Sequence, residues 1–252
     1  TSLGIGDGNK LDMIREIHFP HSIGLLYSAF TYYTGFRVNS GEYKVMGLAP
    51  YGSPRFRDKI LDNLIDLKPD GSFRLNMDYF DYPSGLTMTN RRFDQLFGAP
   101  PRRADELLTQ REMDIAASIQ AVTEELMLRM VRALAAETGI ENLCLAGGVA
   151  LNCVANGKLF RDGAFKRIWV QPAAGDAGGS LGAALCAAYH FDGTPKLRNG
   201  TGDNVNDAMQ GSYLGPAFAQ DEVEARLAAA GAHFEVLSSD ALEAACVEAI
   251  VS

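Results

Sequence analysis

Apolar residues recur at spacings of three and four along Ile115, Ile119, Val122, Leu126, Met130 and Leu134, the period of one face of an α-helix. Thr109-Gln110-Arg111-Glu112 supplies a capping box ahead of that run, and Gly139 supplies a stop behind it. One long helix is therefore predicted. Another is predicted from the cap Ser22 to Gly35, with Ile23, Leu26, Phe30 and Tyr33 on its apolar face. Farther on the pattern alternates. Residues 142–146 read as a short strand, Gly147-Gly148 as a tight turn, 150–160 as a helix, 167–171 as a second strand and 178–190 as a helix of small residues. Strand and helix in alternation predict α/β architecture with a parallel sheet, in which ligands bind beyond the carboxyl ends of the strands.

The remaining stretches are less regular. Thr1 to Gly6 alternates like a strand already under way, and Gly6-Asp7-Gly8-Asn9 is a turn. Residues 39–52 hold too many glycines for a regular element and too many apolar residues for a solvated loop, so an ordered connection is expected. Residues 53–110, with Pro83, Pro100 and Pro101, read as an insertion of short elements, and Arg91-Arg92 and Arg102-Arg103 as solvated pairs. Beyond Phe191 a Gly/Asn/Asp-rich linker runs through Asp207, followed by a turn at 211–216 and helices over 220–230 and 240–252. Residue 1 is Thr and the last helix pattern has no stop signal, which gives the expectation of a fragment of a longer polypeptide.

Composition narrows the function. Of 252 residues 47% are hydrophobic and 21% charged, enough apolar material for a sizeable core. The net charge of -8 repels phosphate backbones, which disfavours non-specific nucleic-acid binding. No apolar stretch is long enough to span a bilayer and no signal pattern opens the chain, so a cytoplasmic protein is expected. Cys144, Cys153, Cys186 and Cys246 form no C-x-x-C pair and are expected to be reduced, the first three buried in apolar surroundings.

Three segments can carry chemistry. In Leu145-Ala146-Gly147-Gly148-Val149-Ala150-Leu151-Asn152, two glycines between strand and helix leave backbone N–H groups uncovered, which suits a phosphate or adenylate, and Asn152 can add its amide. The simpler reading is a packing turn. In Gly175-Asp176-Ala177-Gly178-Gly179-Ser180, Asp176 is either a helix cap or, beside a phosphate, a metal ligand. In Gly41-Glu42-Tyr43-Lys44, Glu42 can accept from ribose hydroxyls and Lys44 can neutralise an anion, although an isolated E-x-K is more often a surface pair. His18 and His21 are three apart, but Pro20 between them opposes a regular turn, and His21 fits the start of the following helix. No catalytic triad, Walker loop or G-x-G-x-x-G is present.

The run from Phe19-Pro20-His21-Ser22 to Thr31, that from Val38 through Gly41-Glu42-Tyr43-Lys44 to Gly52, and the two glycine segments together resemble the O-carbamoyltransferases of nodulation-factor and antibiotic biosynthesis. The resemblance implies an actin/Hsp70/sugar-kinase-like (ribonuclease H-like) fold over 1–192, related to the tRNA threonylcarbamoyl-transferring protein. Residues 193–252 would form a linker and the start of a domain that makes carbamoyl-adenylate from carbamoyl phosphate and ATP. The carbamoyl group would pass to a hydroxyl of a sugar or other natural product. Carried over by residue, Gly147, Gly148 and Asn152 would face the adenylate, with Gly178 and Gly179 at the neighbouring corner. Gly41, Glu42 and Lys44 would lie on its ribose side, and Asp176 would hold an iron-like divalent metal. The paired-histidine motif of the family is missing, so the fragment alone is expected to be inactive, and its severed surface to favour self-association. A small-molecule kinase of the same superfamily and a non-catalytic nucleotide-binding lobe are the alternatives.

Overall fold

The computed structural model describes residues 1–193 and 212–251, the Asp176 side chain excepted. The linker expected through Asp207 therefore falls largely outside the described residues. The chain divides into two compact units, Thr1–Lys196 and Leu197–Ser252.

The first unit is mixed α/β. Strands β1 (Ser2–Asp7) and β2 (Lys10–Glu16) form an antiparallel hairpin around Gly8, whose φ of 56 is the left-handed conformation such a turn needs. β2 was not predicted as a strand, because its order Lys-Leu-Asp-Met-Ile-Arg-Glu breaks the alternation at Met13-Ile14. Helix α1 (Ile23–Tyr33) starts at Ser22, whose hydroxyl accepts from the Leu25 N–H at 3.2 Å, as the cap pattern predicted.

Residues 39–52 correct the sequence reading. They fold into helix α2 (Glu42–Leu48) and a 3-10 turn, Ala49–Tyr51. Glycine in a helix costs about 1 kcal/mol relative to alanine. Here that cost is offset by burial of Val45 and Leu48 and by the Glu42 carboxylate, which accepts from the N–H groups of Asn39 (2.9 Å) and Gly41 (3.2 Å). The stretch 53–110 is, as expected, a series of short pieces: α3 (Arg57–Asn63), β3 (Ile65–Leu67), β4 (Phe73–Leu75) and α4 (Arg91–Phe97). Their core is aromatic, with Phe93 packed against Phe30, Tyr33, Phe80 and Phe97. Arg102 is not the solvated residue expected. Its guanidinium donates to the carbonyls of Thr34 (2.8 Å) and Gly35 (3.3 Å) and lies over the Phe36 ring.

Helix α5 (Gln110–Thr138) organises the unit. Its apolar stripe is buried from Ile115 to Leu126 and half-buried at Met130 and Leu134, and the Thr109 N–H donates to the Glu112 carboxylate at 3.0 Å in the predicted capping box. The helix also buries polar residues that its apolar period gave no reason to expect. Asp114 accepts from the Ser53 N–H (2.9 Å) and Ser118 from the Phe56 N–H (3.0 Å), so α5 secures the loop after α2. Gly52 passes so close that a Cβ on it would stand 2.0 Å from the Met113 carbonyl oxygen.

The charges on α5 set an acid limit to stability. Burial alone would raise the Glu112 carboxyl, but the Thr109 hydrogen bonds and the Arg111 guanidinium outweigh it and hold the group below its ordinary 4.5. Glu125 is likewise held down, with Arg57 and Arg129 overcoming burial. A lowered folded-state pKa contributes stability that is present above the unfolded value and is lost as pH falls through the folded one. The urea midpoint is therefore expected to drop once pH falls below about 4.5, and Glu112→Gln to lower the neutral-pH midpoint while flattening the acid slope. An unchanged slope in that variant would remove Glu112 from this account.

After Gly139, left-handed at φ 64, comes the β-α-β unit: β5 (Asn142–Leu145), a 3-10 turn (Gly148–Leu151), α6 (Cys153–Asp162) and β6 (Arg167–Val170). The strands pair in parallel, Asn142 opposite Arg167 through Leu145 opposite Val170. Helix α7 (Asp176–Cys186) follows and runs into a π-turn at Ala187–Phe191. The second unit contains α8 (Gln220–Ala229) and α9 (Ser239–Val251) among its described residues.

All four cysteines are free, as expected, but exposed, which corrects the expectation of burial. Cys144 alternates with buried Leu143 and so points away from the core, and Cys153 opens α6. Among the described residues no helix is long and apolar enough to cross a membrane.

Candidate functional site

The two glycine corners meet. They follow β5 and β6, whose parallel pairing puts both carboxyl ends on the same side. Two hydrogen bonds join them: the Gly147 N–H donates to the Ala174 carbonyl at 2.7 Å, and the Gln171 N–H to the Leu145 carbonyl at 3.1 Å. Between them lies a cleft of about 300 Å³ lined by backbone and small side chains, including Gly147, Gly148, Gly175, Gly178 and Gly179.

The glycines divide by what a side chain would meet. A Cβ on Gly178 would stand 2.1 Å from the Ala173 carbonyl oxygen, so packing alone requires glycine there. Gly148, Gly175 and Gly179 have nothing within 4 Å of that position, so no packing demand among the described residues explains them. Gly147 likewise faces open space, but its φ of 95 calls for glycine on conformational grounds. Three positions without a Cβ and without a neighbour leave backbone accessible to a ligand. The first N–H groups of the 3-10 turn and of α7 have no intrahelical acceptors, which makes this cleft chemically suited to an anion.

Asp176 is the first residue of α7, which starts two residues before the predicted 178 and has Gly175 rather than Asp176 as its N-cap; the Asp176 side chain lies outside the described residues. Asn152 is the N-cap of α6, which starts at Cys153 rather than at the predicted residue 150. Its side chain is 8% exposed and engaged internally: Oδ1 accepts from the Ala155 N–H (3.0 Å) and from Gln120 Nε2 (3.1 Å), and Nδ2 donates to Gln120 Oε1 (2.9 Å).

Gly41, Glu42 and Lys44 do not line the cleft. Helix α2 approaches the glycine corner through Met46, whose sulfur is 3.9 Å from that of Cys153. Gly41 is fixed by packing, since a Cβ there would be 2.7 Å from the Arg37 carbonyl oxygen. The Glu42 carboxylate takes a third hydrogen bond from Ser28 Oγ at 2.8 Å, leaving acceptor capacity for about one more donor. Lys44 is exposed, with its ammonium about 6 Å from the Phe36 and Tyr43 rings.

Two cleft-associated residues were missed by sequence reasoning. Gln171 lines the cleft, and its side-chain oxygen accepts from the Ala173 N–H, which directs its amide nitrogen elsewhere as a donor. Asn156 donates to the Ala150 carbonyl at 2.7 Å and so braces the 3-10 turn. An amide directly after a strand, as Gln171 is, and one in the first turn of the helix after a glycine corner, as Asn156 is, are the signals that could have found them. His21 Nδ1 accepts from the Leu75 N–H at 3.1 Å, in keeping with a place at the start of α1. Among the described residues no group of three His, Cys, Asp or Glu side chains is arranged to hold a metal.

A larger open depression of about 500 Å³, lined by Asp62, Asp66, Arg74, Asn76 and Arg129 among others, shares no residue with the cleft. Two of its polar groups are already engaged, Asp66 with Lys68 at 2.8 Å and Asn76 with the Asn63 carbonyl at 3.1 Å. The smaller glycine cleft is the stronger candidate.

Comparison with known proteins bears on this cleft. The family model described as carbamoyltransferase N-terminus matches residues 1–185, the span that contains both corners. An uncharacterized Synechocystis protein is 64% identical over 227 residues, covering 90% of this chain and 36% of that protein. Nodulation protein NolNO of Sinorhizobium fredii is 36% identical, covering 94% of this chain and 32% of its own length. Nodulation protein NolO of Bradyrhizobium diazoefficiens is 34% identical, covering 94% of this chain and 40% of its own length. The chain thus spans between about a third and two fifths of the length of these relatives.

Proposed function

The chain belongs to the carbamoyltransferase N-terminus family, and from that premise we propose that it is the group-transfer part of an ATP-dependent O-carbamoyltransferase, built on an actin/Hsp70-like lobe. The observation that carries the proposal is the shared cleft, in which Gly148, Gly175 and Gly179 offer backbone to a ligand although packing does not require glycine at any of the three. The ligand is carbamoyl-adenylate, derived from carbamoyl phosphate and ATP. Its phosphate lies against the uncovered N–H groups of the two corners, and Gln171 adds a side-chain donor.

In the transfer step the oxygen of an acceptor hydroxyl attacks the carbamoyl carbon, the bond from that carbon to the adenylate phosphate oxygen breaks, and AMP departs with the electron pair. The hydroxyl proton passes to solvent or buffer. The electrophile arrives activated, so the protein's share is to position it and to stabilise negative charge developing on the phosphate. In this reading α2, which reaches toward the glycine corner through Met46, lies at the edge of the site, with Glu42 keeping room for one ribose hydroxyl and Lys44 available to an anion. Asp176, whose side chain lies outside the described residues, is in the same reading the residue that would hold a divalent metal, and no step is assigned to one. Four free cysteines support a reducing, cytoplasmic setting.

The test is product analysis with the full-length protein. Label from carbamoyl phosphate is expected in a hydroxyl-bearing acceptor, with ATP converted to AMP. Transfer of the ATP γ-phosphate to the acceptor would instead identify a kinase, and nucleotide binding with neither transfer would identify a non-catalytic lobe. Residues 1–252 alone are expected to show no turnover.

A further inference from the structure

Beneath the glycine corner lies a closed network of buried polar side chains that the transfer step does not use. Gln120, in the middle of α5, is its centre. Its Oε1 accepts from the Tyr27 hydroxyl (2.9 Å) and from Asn152 Nδ2 (2.9 Å), while its Nε2 donates to Asn152 Oδ1 (3.1 Å) and Glu124 Oε1 (2.9 Å). Lys158 of α6 pairs with the other Glu124 oxygen. Tyr27, Gln120, Glu124 and Asn152 are all buried. Gln120 thereby uses both acceptor and both donor positions of its amide, and no smaller or charged residue can do the same.

The partner of this amide is the hinge of the corner. Asn152 ends the 3-10 turn that starts at Gly148 and caps the first turn of α6. The reciprocal amide pair fixes its side chain against a 29-residue helix. Gly147 and Gly148, by contrast, have no side chains with which to hold themselves, and nothing packs against their Cβ positions. Backbone donors stabilise an anion well only when their direction is set beforehand. Apart from the Gly147 N–H bond to Ala174 and the Asn156 bond to Ala150, the side-chain support of this turn comes from below, through Asn152.

We infer that Gln120 is a positioning residue for nucleotide binding, setting the direction of the Gly147-Gly148 backbone through its amide pair with Asn152. The inference rests on the proposed adenylate reading of the cleft and adds the element that holds the cleft in shape. Gln120 is too deeply buried to touch the ligand, so its effect belongs to binding rather than to the chemical step.

The experiment compares wild-type full-length protein with Gln120→Met, which keeps the length of the side chain and removes its polar atoms, and with Gln120→Glu. The readouts are AMP binding by calorimetry, the split between KM for ATP and kcat, and thermal stability. Gln120→Met is expected to weaken AMP binding and raise KM about tenfold, as loss of buried hydrogen bonds to a ligand-holding segment should, with kcat changed less than about twofold. Gln120→Glu is expected to show the same loss at alkaline pH, where its carboxylate faces Glu124 and has no proton to donate, and to recover affinity as the pH is lowered. Should Gln120→Met fail to fold, the pH profile of Gln120→Glu decides. Wild-type AMP affinity in both variants, or a lowered kcat at unchanged KM in proportion to lost folded protein, would overturn the inference while leaving the adenylate reading in place. Wild-type protein that binds neither AMP nor ATP would overturn that reading and the inference with it.

Discussion

Gly148→Val combined with Gly179→Val is expected to reduce carbamoyl transfer by the full-length protein at least about a hundredfold, the scale on which misplacement of bound reactants by about 1 Å slows a reaction. Both glycines line the cleft, and neither has an atom within 4 Å of its Cβ position. Neither has a positive φ, so both backbones tolerate an L side chain. The substitutions therefore fill the cleft and little else. Valine at Gly179, in the first turn of α7, loses some χ1 freedom but still ranks above glycine in helix propensity, so the exchange carries no propensity cost there. The melting temperature should stay within about 3 °C of wild type. The physical content is the contrast between lost activity and retained stability. Full activity in the double variant would show that no ligand approaches this backbone, and the proposed site would have to be abandoned. The matching control is Gly178→Ala. Its Cβ would be driven into the Ala173 carbonyl oxygen at 2.1 Å, so stability and activity should fall together.

The second large effect concerns the aromatic centre of the insertion. Phe93→Ala is expected to cost about 3–5 kcal/mol, measured as a lowered denaturant midpoint at unchanged slope. The ring is 0% exposed and has four aromatic neighbours, with centroids at 4.8 Å from Tyr33 and Phe97, 5.2 Å from Phe30 and 6.0 Å from Phe80. Three of the four contacts join α4 to elements distant in sequence, so the cavity opens between segments and cannot close by adjusting one of them. Domains of this size are stable by about 5–15 kcal/mol, so a loss of that magnitude removes a large part of the whole. A loss below about 1 kcal/mol would mean that the segments repack around the gap and that α4 is not the keystone described.

Phe93 and Gln120 also show how differently two residues can be read from a linear chain. Phe93 is a large apolar residue between Arg92 and Asp94 and could be assigned to a core without further information. Gln120 sits in a helix with an apolar face, and nothing nearby marks it as more than solvated, because its partners Tyr27 and Asn152 are 93 and 32 residues away. Arg102 has the same history. Within Pro-Arg-Arg-Ala it looks free, and beside the local carbonyls of Arg103 and Glu106 it is the return of the chain past α1 that supplies those of Thr34 and Gly35.

The sequence by itself determined what short-range physics controls. Ser22, Thr109-Glu112 and Gly139 mark helix ends through hydrogen bonds that close within about four residues, and the 3.6-residue period of α5 follows from the helix repeat. Both glycine corners and the strands before them were legible for the same reason. Tertiary structure decided whatever depends on which surfaces meet. Residues 42–48 became a helix because Val45 and Leu48 found a core that outweighed the glycines' preference. The two corners became one cleft because parallel pairing of β5 with β6 sets their carboxyl ends side by side. Asn152 became a brace instead of a free amide because α5 presents Gln120 to it. Local hydrogen-bond geometry is written in neighbouring residues, whereas burial and polar pairing require a partner brought from elsewhere in the chain.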